Sequence, residues 1–172
     1  MTAEANDALG ELAARRVHEL VADVDGQAFS ASFNLFRLSS RLLHDLEATV
    51  HRPRGLSLAG FRVLFTVWIH DQLEPRELAR LSGVSRAAVS GVLKTLERDG
   101  LVERTREQVD RRLVTVRVTE AGEALLRETY EDQNRRERQH FASLDADQLR
   151  AFGAIMQQLL AAPLPDTQSG DS

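Results

Sequence analysis

The sequence contains no cysteine, few aromatic residues and no long apolar run. Without cysteine there can be no disulfide, no thiolate zinc site, no iron–sulfur cluster and no cysteine redox sensor. The longest strongly apolar run, residues 61–69, is interrupted by Arg62 and Thr66 and is far shorter than the roughly 20 residues of a membrane span. The first ten residues carry acids and no basic region. We therefore expect neither a secretory signal nor a membrane partner, and a cytoplasmic location.

Sequence motifs typical of enzymes are also missing. There is no phosphate-binding glycine loop, no His-Glu-x-x-His pair, no Gly-x-Ser-x-Gly elbow and no dinucleotide fingerprint. His44 and His51 are seven positions apart and on either side of the end of a predicted helix, and the other histidines are scattered along the chain. We therefore expect no enzyme activity, no catalytic residues, no cofactor and no metal site.

Charge is distributed unevenly along the chain. The formal net charge is −4, but residues 74–118 hold ten basic and seven acidic residues and carry +3. A moderately basic segment in an acidic chain is typical of a protein with one surface that faces a polyanion. A solvated surface of mixed charge is the alternative, and charge alone does not decide between them.

The spacing of apolar residues predicts a mainly α-helical chain with one small β-hairpin. Apolar residues recur every three or four positions over residues 7–24 and 29–50, which predicts two amphipathic helices. A breaker follows, and Ser57 can then cap a helix that reaches about residue 70. Thr119 and Asp145 are placed to cap two later helices.

The middle of the chain follows the order helix, three-residue turn, helix, hairpin. Pro75 opens a short helix ending near Ser82, and a second helix runs from Ser85 to about Arg98. Two short β-branched runs, residues 101–106 and 113–118, flank a polar tip. This order is that of a winged helix-turn-helix.

The second of these helices has two different faces. Apolar residues lie on about a third of its circumference: Val89, Val92, Leu93 and Leu96. The opposite face is small and cationic, with Arg86, Ala87, Ser90, Gly91, Lys94 and Arg98. Small residues permit close approach to a major groove, and a few donors can reach base edges and phosphates. An ordinary amphipathic surface helix is the alternative.

The predicted hairpin tip is a second cationic feature. Arg104, Arg106, Arg111 and Arg112 cluster around Asp110. An arginine on such a tip can enter a narrow minor groove, and Asp110 could hold it extended. Exposed arginines also keep hairpin edges soluble, which is the alternative. The helix pair and the tip together favour DNA binding.

Three stretches of this region resemble the MarR family of transcriptional regulators. They are residues 77–90 (ELARLSGVSRAAVS), 96–104 (LERDGLVER) and 110–122 (DRRLVTVRVTEAG). The third matches the family's wing signature, Asp-x-Arg followed by a strand ending Leu-Thr-x-x-Gly, with Val118 in place of Leu. The order of the flanking helices agrees as well, so the resemblance covers about residues 27–161.

The resemblance implies a homodimeric repressor that binds double-stranded DNA at a pseudo-palindromic operator. Helix 85–98 would occupy the major groove and wing 104–113 the minor groove. The predicted DNA-binding residues are Arg76, Ser85, Arg86, Ala87, Ser90, Gly91, Lys94, Arg104, Arg106, Asp110, Arg111 and Arg112. Gly91 departs from the family pattern, in which a longer polar or basic residue is common. A winged-helix protein-interaction adaptor that does not bind DNA is the alternative function, although it would not need cations on both helix and wing.

Five segments follow from this resemblance. They are an N-terminal extension helix (1–25), a dimerisation or linker helix (26–56), a winged helix-turn-helix DNA-binding domain (57–118), C-terminal dimerisation helices (119–162) and a tail without fixed structure (163–172). The extension helix is not general in the family and could enlarge the dimer interface. Relatives release DNA when a small phenolic or lipophilic effector binds, and candidate lining residues here are Phe29, Phe33, Phe36, Phe61, Phe65 and Trp68. A purely structural core is the alternative for these aromatic residues.

Overall fold

The computed structural model describes residues 3–106 and 114–163. Residues up to 133 and residues from 134 onward form two compact units, and the boundary falls within one helix. The elements in chain order are α1 (Ala3–Leu20), α2 (Gly26–Leu46), α3 (Leu58–Ile69), β1 (Gln72–Leu73), α4 (Pro75–Ser82), α5 (Arg86–Arg98), β2 (Val102–Arg106), β3 (Val114–Val118), α6 (Glu120–His140) and α7 (Ala146–Ala161). The predicted fold class, mainly helical with a small hairpin, is confirmed. Among the described residues, no helix combines the length and apolar character needed to cross a membrane.

Helices α1 and α2 pack on each other, and the break between them comes earlier in the chain than the apolar spacing predicts. Helix α1 ends at Leu20, so Val21 and Val24, predicted to continue its stripe, follow the helix instead. The next helix, α2, starts after Asp25, whose carboxylate accepts hydrogen bonds from the backbone N–H groups of residues 27 and 28. Helix α2 then continues into a π-helical turn, Glu47–His51, and a 3-10 turn, Arg52–Arg54.

The core of the first unit is built around α3. Val63, Leu64 and Val67 of this helix are fully buried, and they pack in one cluster with Leu78 of α4 and Leu93 of α5. Ser57 caps α3 by accepting a hydrogen bond from the backbone N–H of Gly60 at 2.9 Å, as the sequence predicts. Because α3 packs against α4, α5, β1 and β3, its burial fixes where α5 lies in this lobe (residues 57–118).

The helix-turn-helix has the bounds that its local signals predict. Pro75 occupies the first turn of α4, where its missing N–H costs nothing. Gly83 ends that helix with φ +66°, a left-handed conformation that other residues adopt at a cost. Ser85 then caps α5 by accepting a hydrogen bond from the backbone N–H of Ala88 at 3.3 Å.

The hairpin belongs to a three-stranded antiparallel sheet of order β1-β3-β2. Strands β2 and β3 pair from Val102↔Val118 to Arg106↔Val114, which confirms the predicted hairpin. Strand β1 adds Gln72↔Arg117 and Leu73↔Val116 on the other side of β3. The sequence patterns do not predict this strand. Two residues are too short to show a period of two in the sequence.

Helix α6 begins in a tight junction with the end of α5. The hydroxyl of Thr119 donates to the carbonyl of Gly100 at 2.6 Å and accepts from the backbone N–H of Gly122 at 3.1 Å. A Cβ placed on Gly122 would overlap the carbonyl oxygen of Leu101 and lie 2.7 Å from a methyl of Val118. The Thr-x-x-Gly end of the wing signature is thus a packing requirement.

The second unit contains the end of α6 and α7. Asp145 opens α7 with a capping box, in which its carboxylate accepts from backbone N–H groups and the Gln148 side chain accepts from the Asp145 N–H. Phe141 and Phe152 contact each other, with ring centroids 6.1 Å apart. Ile155, Leu159 and Leu160 are exposed, the last by 86%. Of the predicted tail, residues 164–172 lie outside the described residues.

Candidate nucleic-acid interface

Helix α5 presents one face to the core and the other to solvent. Val89, Leu93 and Leu96 are at most 2% exposed, and Val92 packs beside them. The inner stripe predicted from helical spacing is confirmed. Because about two consecutive turns of the helix are anchored in this way, the side chains on the opposite face have fixed directions relative to the lobe.

The outer face of α5 combines small residues with the cations Arg86 and Lys94. Five predicted interface residues on it are exposed: Arg86, Ala87, Ser90, Gly91 and Lys94. Neither Arg86 nor Lys94 forms an ion pair within the described part of the chain. A Cβ on Gly91 would have no neighbouring atom within 4 Å. The face therefore offers two free positive groups and little steric bulk.

The remaining helical candidates differ in what they contact. Arg76 is exposed on α4, whereas its neighbour Arg80 is paired with Glu77 at 2.8 Å. The hydroxyl of Ser85 serves as the α5 cap. Arg98, which the helical spacing places on the outer face, donates to Asp99 at 2.9 Å, and this hydrogen bond together with the Asp99 charge raises the pKa of Arg98.

The wing candidates are only partly described. Arg104 lies in β2 and forms an ion pair with Glu97 of α5, with Nε and Oε1 2.8 Å apart. Arg106 ends β2. Asp110, Arg111 and Arg112 lie outside the described residues. The sequence did not indicate the Glu97–Arg104 pair, because every arginine of the wing was grouped with Asp110.

A shallow groove flanks α5 on the side of α3. Its volume is about 300 Å³, and small side chains line much of it, including Gly55, Ser57, Gly60, Ala88 and Gly91. Gly91 therefore borders both the groove and the outer face of α5. Nothing in the sequence brings residues 55–60 next to α5, because the contact depends on how α3 and α5 pack.

The aromatic candidates for an effector pocket fall into two clusters. Phe29 stacks on Phe33 within α2 at 5.5 Å. Phe65 contacts three other rings, those of Phe61, Trp68 and Tyr130, at 5.7–5.8 Å. Phe61 is buried, whereas Phe36 is 70% and Trp68 46% exposed. Tyr130 was not among the candidates predicted from the sequence.

His51 is a buried residue that no sequence pattern indicates. It is 1% exposed, its Nε2 is 2.9 Å from the Oε1 of Gln133, and its ring stacks on Phe61 at 4.4 Å. Nearby, Arg54 forms ion pairs with Glu128 and Asp132 of α6. These contacts join residues 74–82 positions apart, so no local pattern predicts them. No group of potential metal ligands occurs in the described ranges.

Comparison with known proteins identifies the family. A sequence model of the MarR family matches residues 56–114. The uncharacterized HTH-type transcriptional regulator YwaE of Bacillus subtilis is 31% identical over 156 residues, which cover 91% of this chain and 89% of YwaE. The chain belongs to the MarR family. As a member of that family it is a transcriptional regulator rather than an enzyme.

A further sequence relative and two solved structures are also similar to this chain. The transcriptional repressor YetL of Bacillus subtilis is 33% identical over 110 residues, 63% of this chain and 65% of YetL. Among solved structures, a variant of Escherichia coli MarR bound to operator DNA has a TM-score of 0.68 at 21% identity and covers 80% of this chain and 99% of that one. Bordetella bronchiseptica BpsR, whose DNA binding is regulated by 6-hydroxynicotinic acid, has a TM-score of 0.68 at 22% identity, with coverages of 76% and 98%. These structural likenesses show the winged-helix fold.

Proposed function

We propose that this MarR-family chain is a homodimeric repressor that binds a specific double-stranded operator. Helix α5 enters the major groove, and the wing, residues 104–113, reaches the adjacent minor groove. The observation that carries the proposal is the outer face of α5, on which Arg86 and Lys94 are exposed and unpaired in the described part of the chain. An adaptor that binds only protein has no use for free cations around Ala87, Ser90 and Gly91, whereas a major groove requires both small residues and donors.

Exposed apolar side chains support a dimer. Leu12 and Leu20 of α1, Phe36 of α2, and Ile155 and Leu160 of α7 are between 46% and 86% exposed. Burying such side chains against a second copy would stabilise the pair by about 25 cal/mol for each Å² of apolar surface removed from water. A two-fold dimer would present two α5 helices about 34–36 Å apart, one turn of a duplex, which predicts a pseudo-palindromic operator.

A small lipophilic or phenolic effector completes the proposal. Trp68 and Phe36 expose aromatic surface, and Phe65 links Trp68 to Tyr130. Exposed aromatic faces of this kind suit a flat ring with one polar group. The DNA binding of BpsR, which has the same fold, is regulated by 6-hydroxynicotinic acid, a flat aromatic compound with more than one polar group. We propose that an aromatic ligand bound against these side chains lowers the affinity for the operator.

The first experiment tests DNA binding and dimerisation together. The purified chain is incubated with a random duplex pool at low ionic strength, bound duplexes are sequenced, and the mass in solution is measured. We expect two inverted half-sites with centres about 10–10.5 base pairs apart, and a mass twice that of the 19.2 kDa chain. A folded chain that stays single and enriches no duplex would contradict the proposal and favour the adaptor.

Lys94→Ala tests the contact to phosphate. Loss of one phosphate contact releases about one counterion fewer, so affinity falls for all duplexes alike and the slope of log K against log salt becomes shallower by about one. Binding isotherms at four salt concentrations measure this slope. Arg127→Ala, which removes an exposed cation from α6, should leave the slope unchanged. An unchanged slope for Lys94→Ala would remove Lys94 from the phosphate contacts.

A further inference from the structure

One ion pair joins the two elements that would contact DNA. Glu97 lies in the last turn of α5, and Arg104 lies in the middle of β2. Their Oε1 and Nε atoms are 2.8 Å apart, and the two side chains are only 31% and 39% exposed. Partial burial of this kind screens the pair less than a fully exposed one.

The strand register explains how Arg104, although partly exposed, reaches Glu97 of α5. Arg104 pairs with Val116 of β3, and Val102, two residues earlier, pairs with Val118. Because alternate residues of a strand share a face, Arg104 lies on the same face as Val102 and Val116, which are at most 3% exposed. Helix α5 packs against this side of β2. The aliphatic stem of Arg104 thus borders the core while its guanidinium meets Glu97.

We propose that Glu97 and Arg104 are positioning residues that hold the wing at a fixed angle to the recognition helix. The proposal rests on the proposed function of the chain as an operator-binding regulator. Between the two residues the chain turns through Gly100, whose φ is +71°. The ion pair joins the residues that precede and follow this turn. A wing held in place before binding loses less conformational freedom on the operator, which raises affinity without a contact to DNA.

The direction in which affinity changes when the Glu97 charge is removed distinguishes this proposal from a purely electrostatic role of Glu97. A carboxylate beside a DNA-binding helix repels phosphates, so removal of the Glu97 charge should raise affinity for any duplex if Glu97 has no other part. If the pair positions the wing, removal of the same charge lowers affinity for the operator. The two explanations therefore predict changes of opposite sign.

The experiment is a double-mutant cycle with Glu97→Gln and Arg104→Gln. Affinity for the selected operator and for an unrelated duplex is measured by titration at several salt concentrations, and unfolding is monitored for each variant. We expect Glu97→Gln to weaken operator binding about three- to fivefold, the effect of losing a pair of this exposure, while binding to the unrelated duplex does not weaken. The double variant should be no weaker than Arg104→Gln alone.

Three outcomes would overturn the assignment. The first is a Glu97→Gln chain that binds the operator as well as or better than the original chain. The second is an Arg104→Gln chain whose salt slope falls by about 0.9, because that result places Arg104 on a phosphate. Equal weakening on both duplexes together with a lowered unfolding temperature would also contradict it, since that pattern belongs to a role in stability alone. Failure of the proposed function differs from all of these, because the unmodified chain would then select no operator.

Discussion

Gly122→Ala is expected to lower the free energy of unfolding by about 3 kcal/mol, at the upper end of the range for overpacking a well-packed site. The added Cβ would overlap the Leu101 carbonyl and press on Val118. A backbone carbonyl cannot rotate away as a flexible side chain can, so the start of α6 has to shift. For a chain of this length the unfolding temperature should fall by about 6–12 °C. Calorimetry or circular dichroism measures the change.

The matched control is Gly10→Ala in the same unit. A Cβ at Gly10 would have an Arg37 guanidinium nitrogen at 3.9 Å as its nearest neighbour, an ordinary contact. Alanine in the interior of α1 should stabilise the helix by about 0.5–1 kcal/mol. If both substitutions raised stability, the close approach of α6 to Leu101 would not be a packing requirement.

Ser90→Glu is expected to reduce operator affinity at least about 100-fold, or ~3 kcal/mol, because it places a carboxylate where α5 would face the floor of the major groove. Ser90 is exposed, and Ala87 and Gly91 beside it on the outer face are small. The substitution therefore leaves the core untouched, and stability should change by no more than about 0.5 kcal/mol. Fluorescence anisotropy with the selected operator measures the loss.

A glutamate at a second site distinguishes the effect of position 90 from the effect of the added charge. Ala124→Glu adds the same charge at an exposed site on α6, and we expect operator affinity to change by less than about threefold from a single screened charge. Comparable losses for both variants would show that net charge, and not the outer face of α5, governs binding.

Local signals were sufficient to predict the helix-turn-helix from the sequence. Pro75, Gly83 and Ser85 each act within a few residues of their own position, and the bounds of α4 and α5 follow from them. The buried stripe of α5 was also predictable, because a 3.6-residue period is visible in one segment. Dimerisation, the effector and the individual DNA contacts stay predictions, since they depend on partners.

Contacts between distant segments were not predictable. Strand β1 exists because β3 offers a free edge, and the pairing of Glu97 with Arg104 depends on how β2 packs against α5. The burial of His51 depends on Gln133, 82 positions away. In each case tertiary packing determines which residues contact each other, and no pattern within a single sequence indicates the partner.

The contacts of Arg54 and His51 with α6 have a mechanical consequence. The segment that leads into the lobe at residues 51–54 and the helix that leads out of it at residues 128–133 are fastened side by side. These two segments therefore hold the lobe at two attachment points, and the lobe cannot rotate about either segment alone. Any reorientation of the lobe has to move both segments together.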